Sequence, residues 1–501
     1  MNLFICELLK LICRLFVIAA FLTLILNGVV AAQSTEQKSD EKQAGKETKK
    51  NENGKARGGE PGSTKPINDE EDSPLTTIFP HSNKSRFYLA GQINIIYQQH
   101  EPFRSPYSGE NSFRSVRENA TSRVLTLYAG AELTRYTEVL VNIESAGGRG
   151  ISDALGVAGF TNLDVVRNPT LGAKPYLARL MIRQIIPLSQ KTVKAERAPL
   201  ALVTKLPARR LEIRFGKLST VDFFDVNGVG SDSHLQFMNW TVDNNGAFDY
   251  AADTRGYTYG GIVEYQSSNF AARYGLMLMP KVANGLNLDA KITRARGENL
   301  EFEFRHSLLP FAPEKAGTLR LLAFRNTANM GRYREAINAF LAGQETVPDI
   351  EAHRQQGRVK YGFGINFEQE VSRATRIFGR FGWNEGKNEL FAYTETNQTI
   401  AFGGDLRGRA WHRSFDKIGA AFVANAISGD HRRYLQLGGK GFLLGDGSLR
   451  YGRETIFETY YTAHVWRGLF ASLDAQWINN PGYNADRGVV FVPGARLHVD
   501  F

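Results

Sequence analysis

The chain has 501 residues and a net charge of +10, with 61 basic and 51 acidic side chains, and only two cysteines, Cys6 and Cys13. The basic residues are scattered, with carboxylates beside them, unlike the concentrated patch that a nucleic-acid backbone requires; nucleic acid is set aside as a partner. Mean hydropathy is negative, which suits a soluble protein but equally a membrane β-barrel, whose strands alternate lipid-facing and lumen-facing residues.

Residues 1–32 read as an export signal. Lys10 and Arg14 accompany an apolar run from Leu15 to Val30, broken only by Thr23, Asn27 and Gly28. Val30-Ala31-Ala32 then places small residues where signal cleavage needs them. The other reading is an uncleaved anchor, because the run borders on spanning length. Cleavage removes both cysteines, and with them disulfides, thiolate metal sites and cysteine nucleophiles. It also removes Glu7, leaving 59 basic against 50 acidic residues, or +9.

From Gln33 to about His81 the chain carries almost no large apolar side chain. Such a segment cannot offset the entropy of ordering, and reads as a disordered, charged periplasmic tether. Residues 82–501 read as one β-barrel domain. No later apolar run approaches the ~18 residues of a membrane helix.

Within that domain the period is two. Phe87, Leu89, Ile93, Ile95 and Tyr97 share one face, opposite Gln92 and Asn94. Leu300, Phe302 and Phe304 oppose Glu301, Glu303 and Arg305. Val359, Tyr361, Phe363, Ile365 and Phe367 oppose Lys360, Asn366 and Glu368, with glycines between; Leu469, Leu473 and Trp477 oppose Ser472, Asp474 and Gln476. A soluble sandwich also alternates, but its packed core would not accept these mid-strand charges. Aromatics recur near the strand ends, at Tyr88, Tyr97, Tyr257, Tyr259, Tyr265, Trp383, Trp466 and Trp477, as in membrane-barrel girdles. Connections are uneven: Glu132 to Val139 holds a tight turn, whereas Glu101–Ala120 and Thr220–Thr254 are long. At the end, Ala495, Leu497, Val499 and Phe501 oppose Arg496, His498 and Asp500. A closing amphipathic strand that finishes in Phe looks like the signal read by the barrel-assembly machinery. The fold class is therefore an all-β transmembrane antiparallel barrel.

Several blocks resemble the carbohydrate-selective porins of the OprB type. The most specific runs from Arg209 to Gly260, where a Gly-Lys strand end precedes an Asp/Asn-rich loop and an aromatic strand. Others are Asn168–Leu180, Asn326–Ile337, Gly438–Tyr461 and Asp474–Tyr483. The resemblance implies about 16 strands (18 is the alternative) and passive diffusion of small sugars, glucose-like monosaccharides among them. It implies no catalysis and no cofactor.

A sugar pore needs fixed donors and acceptors for hydroxyls, and aromatic faces for C–H patches. By parity the inward candidates are Glu212, Arg214, Arg273, Glu301, Glu303, Arg305, Arg376, Arg380, Glu454, Glu458, Asp474 and Gln476. The loop Asp222–Asp249 is the best candidate to fold into the pore, adding Asp222, Asp225 and Trp240. Asp225-Val226-Asn227-Gly228 faintly suggests a calcium loop, but Val229 occupies the next ligand position and no Glu follows at the needed spacing, so no metal is expected. His412-Arg413-Ser414 has the His-x-Ser spacing of outer-membrane phospholipases, without the rest of that pattern. The rival functions are an anion-preferring or general porin, then a barrel hydrolase or an adhesin. Expected partners are small sugars, outer-membrane lipid with its lipid-A phosphates, and the assembly machinery through Phe501, for a monomer or homotrimer.

Overall fold

Successive side chains of a strand point to opposite sides, so the alternating segments can build a wall with one apolar and one polar face. The computed structural model describes residues 76–82, 85–165 and 171–501. The export signal and nearly all of the tether read from the sequence lie outside these residues. The strands of the first half are β1 (Phe87–His100), β2 (Glu118–Thr134), β3 (Thr137–Gly148), β4 (Tyr176–Pro187), β5 (Thr192–Lys194), β6 (Lys205–Pro207), β7 (Arg210–Leu218), β8 (Thr258–Gln266) and β9 (Phe270–Leu278). They continue as β10 (Arg296–Arg305), β11 (Gly317–Met330), β12 (Gln355–Glu370), β13 (Thr375–Asn384), β14 (Gln398–Arg407), β15 (Lys417–Ala426), β16 (Glu454–Trp466), β17 (Leu469–Asn479) and β18 (Val490–Asp500). All but β5 and β6 close into one antiparallel barrel of 16 strands, each paired with its neighbours in sequence. β5 and β6 form a separate hairpin inside the β4–β7 connection. The 16-strand expectation holds.

Closure is made by β1, which pairs with β2 on one side and β18 on the other. Phe501 extends that seam: its N–H donates to Gly91 O at 2.8 Å, and Gly91 N–H donates back at 2.6 Å. The ring lies over Gly91, where a Cβ would come within 2.6 Å of it. The terminal aromatic therefore needs a residue without a side chain beneath it. Just before β1, Ile78 N–H donates to Asp500 O at 2.8 Å and Arg467 donates to Ile78 O at 3.2 Å.

The alternation sorts as expected. Leu300, Phe302, Tyr361, Phe363, Leu473, Trp477 and Leu497 are exposed on the outer face, whereas Glu301, Glu303, Lys360, Asn366, Asp474, Gln476, Arg496 and His498 are buried on the inner one. Two girdle assignments are corrected. Tyr88 faces inward, packed against the interior cluster, and Tyr257 is buried with its hydroxyl on Glu144; Tyr88 is out of phase with Phe87 and Leu89, so parity overrules its place near a strand end. Tyr97, Tyr259, Trp466 and Trp477 are exposed on the outside.

The end carrying both termini has the shorter connections, such as 135–136, 267–269, 371–374 and 467–468. The opposite end carries 101–117, 149–175, 219–257, 331–354 and 427–453. Two helices in these long loops, Tyr333–Leu341 and Gly429–Gln436, have no clear signature in the sequence. Helices this short are marginal alone. They are held by packing on each other, with Tyr333 stacked on His431 at 4.3 Å and tilted against Tyr434 at 5.2 Å. His412 and Ser414 lie in the turn 408–416 at the short-turn end, not on a strand.

Candidate functional site

Every charged strand residue singled out by parity sits on the inner wall, and most are locked into one network. It starts at Glu138 on β3, which pairs with Arg183 on β4 at 2.8 Å. Arg183 reaches Glu212 on β7 at 2.8 Å. Glu212 also takes Arg210 at 2.5 Å and Arg214 in close contact, and Arg214 continues to Glu264 on β8 at 2.7 Å. Arg273 on β9 joins Glu264, Glu301 and Glu303 at 2.9, 2.6 and 2.8 Å. Glu303 on β10 holds Arg305 at 2.5 Å and Arg320 on β11 at 3.1 Å, and Arg320 ends the chain at Glu368 on β12, at 2.9 Å. The belt thus runs from β3 to β12 with six arginines and six glutamates. Its fixed charge is zero. Buried ions are tolerated only when paired and hydrogen-bonded, and here Arg183, Arg214, Arg273 and Arg320 find carboxylates across the strand ladder, while Arg210 and Arg305 pair along their own strands.

The remaining candidates hold loops inside the barrel. The 219–257 segment folds inward, and Arg380 clasps it: Nε lies 2.9 Å from Asp225 Oδ2, Nη1 donates to Val242 O at 2.8 Å and Nη2 donates to Ser231 Oγ at 2.5 Å. Asp225 N–H donates to Glu301 at 2.7 Å, tying the segment to the belt. Asp225 adopts a φ of 58° and its carboxylate also accepts from Asn366 and from Asn245 N–H. Burial pushes this carboxyl above its ordinary range, against the pull of Arg380 and Asn366. Glu458 accepts Met238 and Asn239 N–H at 2.5 and 3.2 Å. Glu454 accepts Ala158 N–H at 3.0 Å and Gly482 N–H at 2.8 Å. Gln476 donates to Thr161 O at 2.8 Å and to Asp474 at 3.2 Å. Arg376 pairs with Asp405. The glycines of β12 and β13 make room for the segment: a Cβ at Gly364 or Gly382 would strike the Asn245 amide at 2.7 or 1.9 Å.

Trp240, expected to offer a ring to sugar, is instead part of an aromatic stack. Tyr393 lies against it at 4.7 Å with 20° between planes, Tyr250 follows at 6.3 Å and 13°, and the edge contact is Phe160 at 5.9 Å. Only 6% of it is exposed. These rings bind three loops together: 149–175, 219–257 and 385–397.

A second polar group keeps partial exposure on the inner side. Arg179 on β4 grips Asp222 bidentately, with both contacts at 2.7 Å. The Arg179 guanidinium also lies 5.1 Å from the centre of the Tyr257 ring. Glu144 on β3 accepts from Tyr257 Oη at 2.9 Å, from Thr126 Oγ1 at 3.3 Å and, in close contact, from Tyr176 Oη. Arg255 covers the Tyr176 ring at 3.9 Å, and its Nη1 has no hydrogen-bond partner. Of this cluster, parity and loop reasoning singled out only Asp222 as a site residue. Glu144 shares the inward parity of Asn142, and Tyr176 and Arg179 lie in one of the family-like blocks, so the signal was present.

Near the last strand, His234 of the inserted segment stacks on His498 at 5.3 Å and 13°, with Nε2 3.6 Å from Asp164. Arg496 donates to Ser233 O at 2.7 Å. Burial would depress the His234 pKa, but the hydrogen bond and charge of Asp164, with Asp232 and Asp500, hold it up at about 9.

Residues 111–501 match the family model "Carbohydrate-selective porin, OprB family". None of the curated proteins matches the sequence. Among solved structures, the high-pH form of OprB from Pseudomonas putida is similar with a TM-score of 0.63 at 16% identity, over 83% of this chain and 94% of that one. Its low-pH form gives 0.44 at 12% identity, over 83% and 92%. The outer-membrane channel DcaP of Acinetobacter baumannii gives 0.43 at 9%, over 83% and 97%. The family match and the closed barrel place the molecule in the outer membrane, with its short turns toward the periplasm. The chain belongs to the OprB family of carbohydrate-selective porins, barrels through which sugars diffuse across the outer membrane.

Proposed function

We propose that small neutral sugars, glucose-like monosaccharides among them, pass beside the inserted 219–257 segment and are held briefly by Glu144, Tyr176, Arg179, Asp222 and Arg255, with the buried Tyr257 positioning Glu144 and Arg179 from behind. One observation carries this reading: here carboxylates, guanidinium groups and the Tyr176 phenol meet without being fully buried. Sugar hydroxyls exchange water for such fixed donors and acceptors, and tyrosine rings suit the C–H patches. Binding must stay weak, because a site near 1 mM holds its ligand by only about 4 kcal/mol. The chain then works as a passive channel, without catalysis or cofactor.

An anion-preferring or general porin is the second reading, favoured by the overall basic surplus. The charge balance of the belt weighs against it. Liposome swelling with neutral sugars of graded size, run beside reversal potentials in a salt gradient, separates the two. Sugar flux above that of a size-matched general pore, with weak ion preference, supports the sugar porin; strong anion preference without sugar preference refutes it.

Residues 1–32 serve as the export signal and 33–81 as a periplasmic extension in this reading. Phe501 is proposed as the mark read by the assembly machinery. Phe501→Ser should lower outer-membrane levels sharply and Asp500→Asn little; equal levels would count against it.

A further inference from the structure

The outer rim at the long-loop end carries a cationic, partly apolar patch on the β9–β10 loop and the strands below it. Lys281, Lys291 and Arg294 are exposed on the loop, together with Val282, Leu286 and Ile292. Arg296 and Arg325 extend the patch down the outward face of β10 and β11, the latter with 52% of its side chain exposed. Five cations here meet two carboxylates. Asp289 takes Arg294 at 2.6 Å. Its own burial would raise its pKa, but it is held below the ordinary range by Lys291 N–H, Arg294 and the charge of Lys281. Glu298 is shared by Arg296 at 3.3 Å, Arg325 at 3.5 Å and the Tyr274 hydroxyl at 3.3 Å. Lys281 and Lys291 form no ion pair among the described residues. Elsewhere at this end Lys440 pairs with Glu110, Arg334 with Asp430 and Arg450 with Asp486.

We infer that this rim binds the phosphorylated headgroup of a lipid in the outer leaflet. The inference rests on the outer-membrane placement and not on the sugar route. Charge complementarity names the headgroup chemistry, because the patch carries a surplus of three positive charges, with Arg296 and Arg325 on the outward face of the strands. The exposed apolar residues say that the ligand is lipid-borne. Val282, Leu286 and Ile292 interleave with the cations, and the outward Tyr274 and Leu300 continue the surface toward the hydrocarbon band. Cations above an apolar band are the arrangement that holds an anionic lipid at an interface. A soluble phosphate ligand would have no use for the apolar part.

The test uses the full refolded barrel in detergent micelles doped with bisphosphorylated lipid A, and native mass spectrometry to count retained lipid. Lys281→Gln/Lys291→Gln/Arg294→Gln should require roughly tenfold more lipid A for equal retention. Lys440→Gln should behave as the parent, and dephosphorylated lipid A should bind parent and triple variant alike. Unchanged retention in the triple variant overturns the inference, as does an equal loss with dephosphorylated lipid. Displacement of bound lipid A by the same concentration of inorganic phosphate also overturns it, in favour of a plain anion site. Sugar flux in swelling assays should be the same for parent and triple variant, which keeps this result separate from the sugar proposal.

Discussion

The inner wall holds two groups of arginines and carboxylates, and their contacts are equally short: Arg273 to Glu301 is 2.6 Å and Arg179 to Asp222 is 2.7 Å. The difference is in what remains unused. Arg273 touches three glutamates and also donates to Phe223 O at 2.9 Å. Its side chain is 6% exposed and that of Glu301 is not exposed at all. Arg179 has one carboxylate and one ring, and both it and Asp222 keep more than a tenth of their surface. A charge on the inner face is thus not a binding group in itself. Spare hydrogen-bonding capacity beside water makes it one.

The largest effect should come from breaking the belt. Arg273→Gln leaves Glu264, Glu301 and Glu303 short of a positive partner. Removing one member of a buried ion network costs about 3–5 kcal/mol, so heat-modifiable migration should shift to markedly lower temperature. The barrel that does fold should keep its sugar preference. If instead stability is unchanged and sugar flux collapses, the belt is the binding wall and the comparison is inverted.

Next comes the clasp between wall and inserted segment. Arg380→Gln removes contacts to Asp225, Ser231 and Val242 together, and hydrogen bonds to a charged group contribute roughly 1.5–3 kcal/mol. The barrel should survive, because the strand ladder is intact, while the 219–257 segment loosens. Single-channel recordings should show higher or noisier conductance, and swelling assays should admit larger sugars. A variant with the parent's conductance and size limit would mean that the aromatic stack around Trp240 holds the segment alone.

The open cluster should respond in the opposite sense. Arg179→Gln and Tyr176→Phe each remove a donor near the water-accessible side of the wall. Each should lower sugar flux about fivefold or less, the equivalent of about 1 kcal/mol, with little change in thermal stability. Loss of folding without loss of flux per channel would assign these residues to the wall as well.

The barrel was legible in the sequence because period-2 alternation maps directly onto two faces, and the inner face can hold Glu301, Glu303 and Asp474 only if it is polar. Parity says nothing about occupancy, however. Glu454 and Glu458 have the parity of pore-lining residues, yet they accept backbone N–H groups from Ala158, Met238 and Asn239, more than two hundred residues away in the chain. Trp240 sits in a loop whose composition announces polarity, but its indole is covered by Tyr393 from another loop. Such contacts between distant loops leave no local trace. The glycines at 364 and 382 were the clue within reach: two bare positions on the inner faces of adjacent strands indicate that something packs there.

The smallest effect, and the finest test of what holds the segment, concerns pH. His234 joins the inserted segment to the wall beside β18 through Asp164 and the His498 ring. Asp232, Asp500 and Arg496 also act nearby. Its pKa in the folded barrel, about 9, exceeds the ordinary 6.5 because the gain from Asp164 outweighs burial. A raised pKa means that the charged imidazole favours the docked state, fully below pH 6.5, and that this contribution is lost as pH rises through about 9. At neutral pH the latch is engaged; near pH 10 it is not. Other groups titrate in that range, so the comparison is between the parent and His234→Gln in the same buffers. Their conductance noise should differ at pH 7 and converge by pH 10. The difference should be smaller than that of Arg380→Gln, whose charge stays fixed and whose contacts are buried on both sides. A difference that persists unchanged at pH 10 would show that the His234–His498 stacking, and not the ion pair with Asp164, docks this part of the segment.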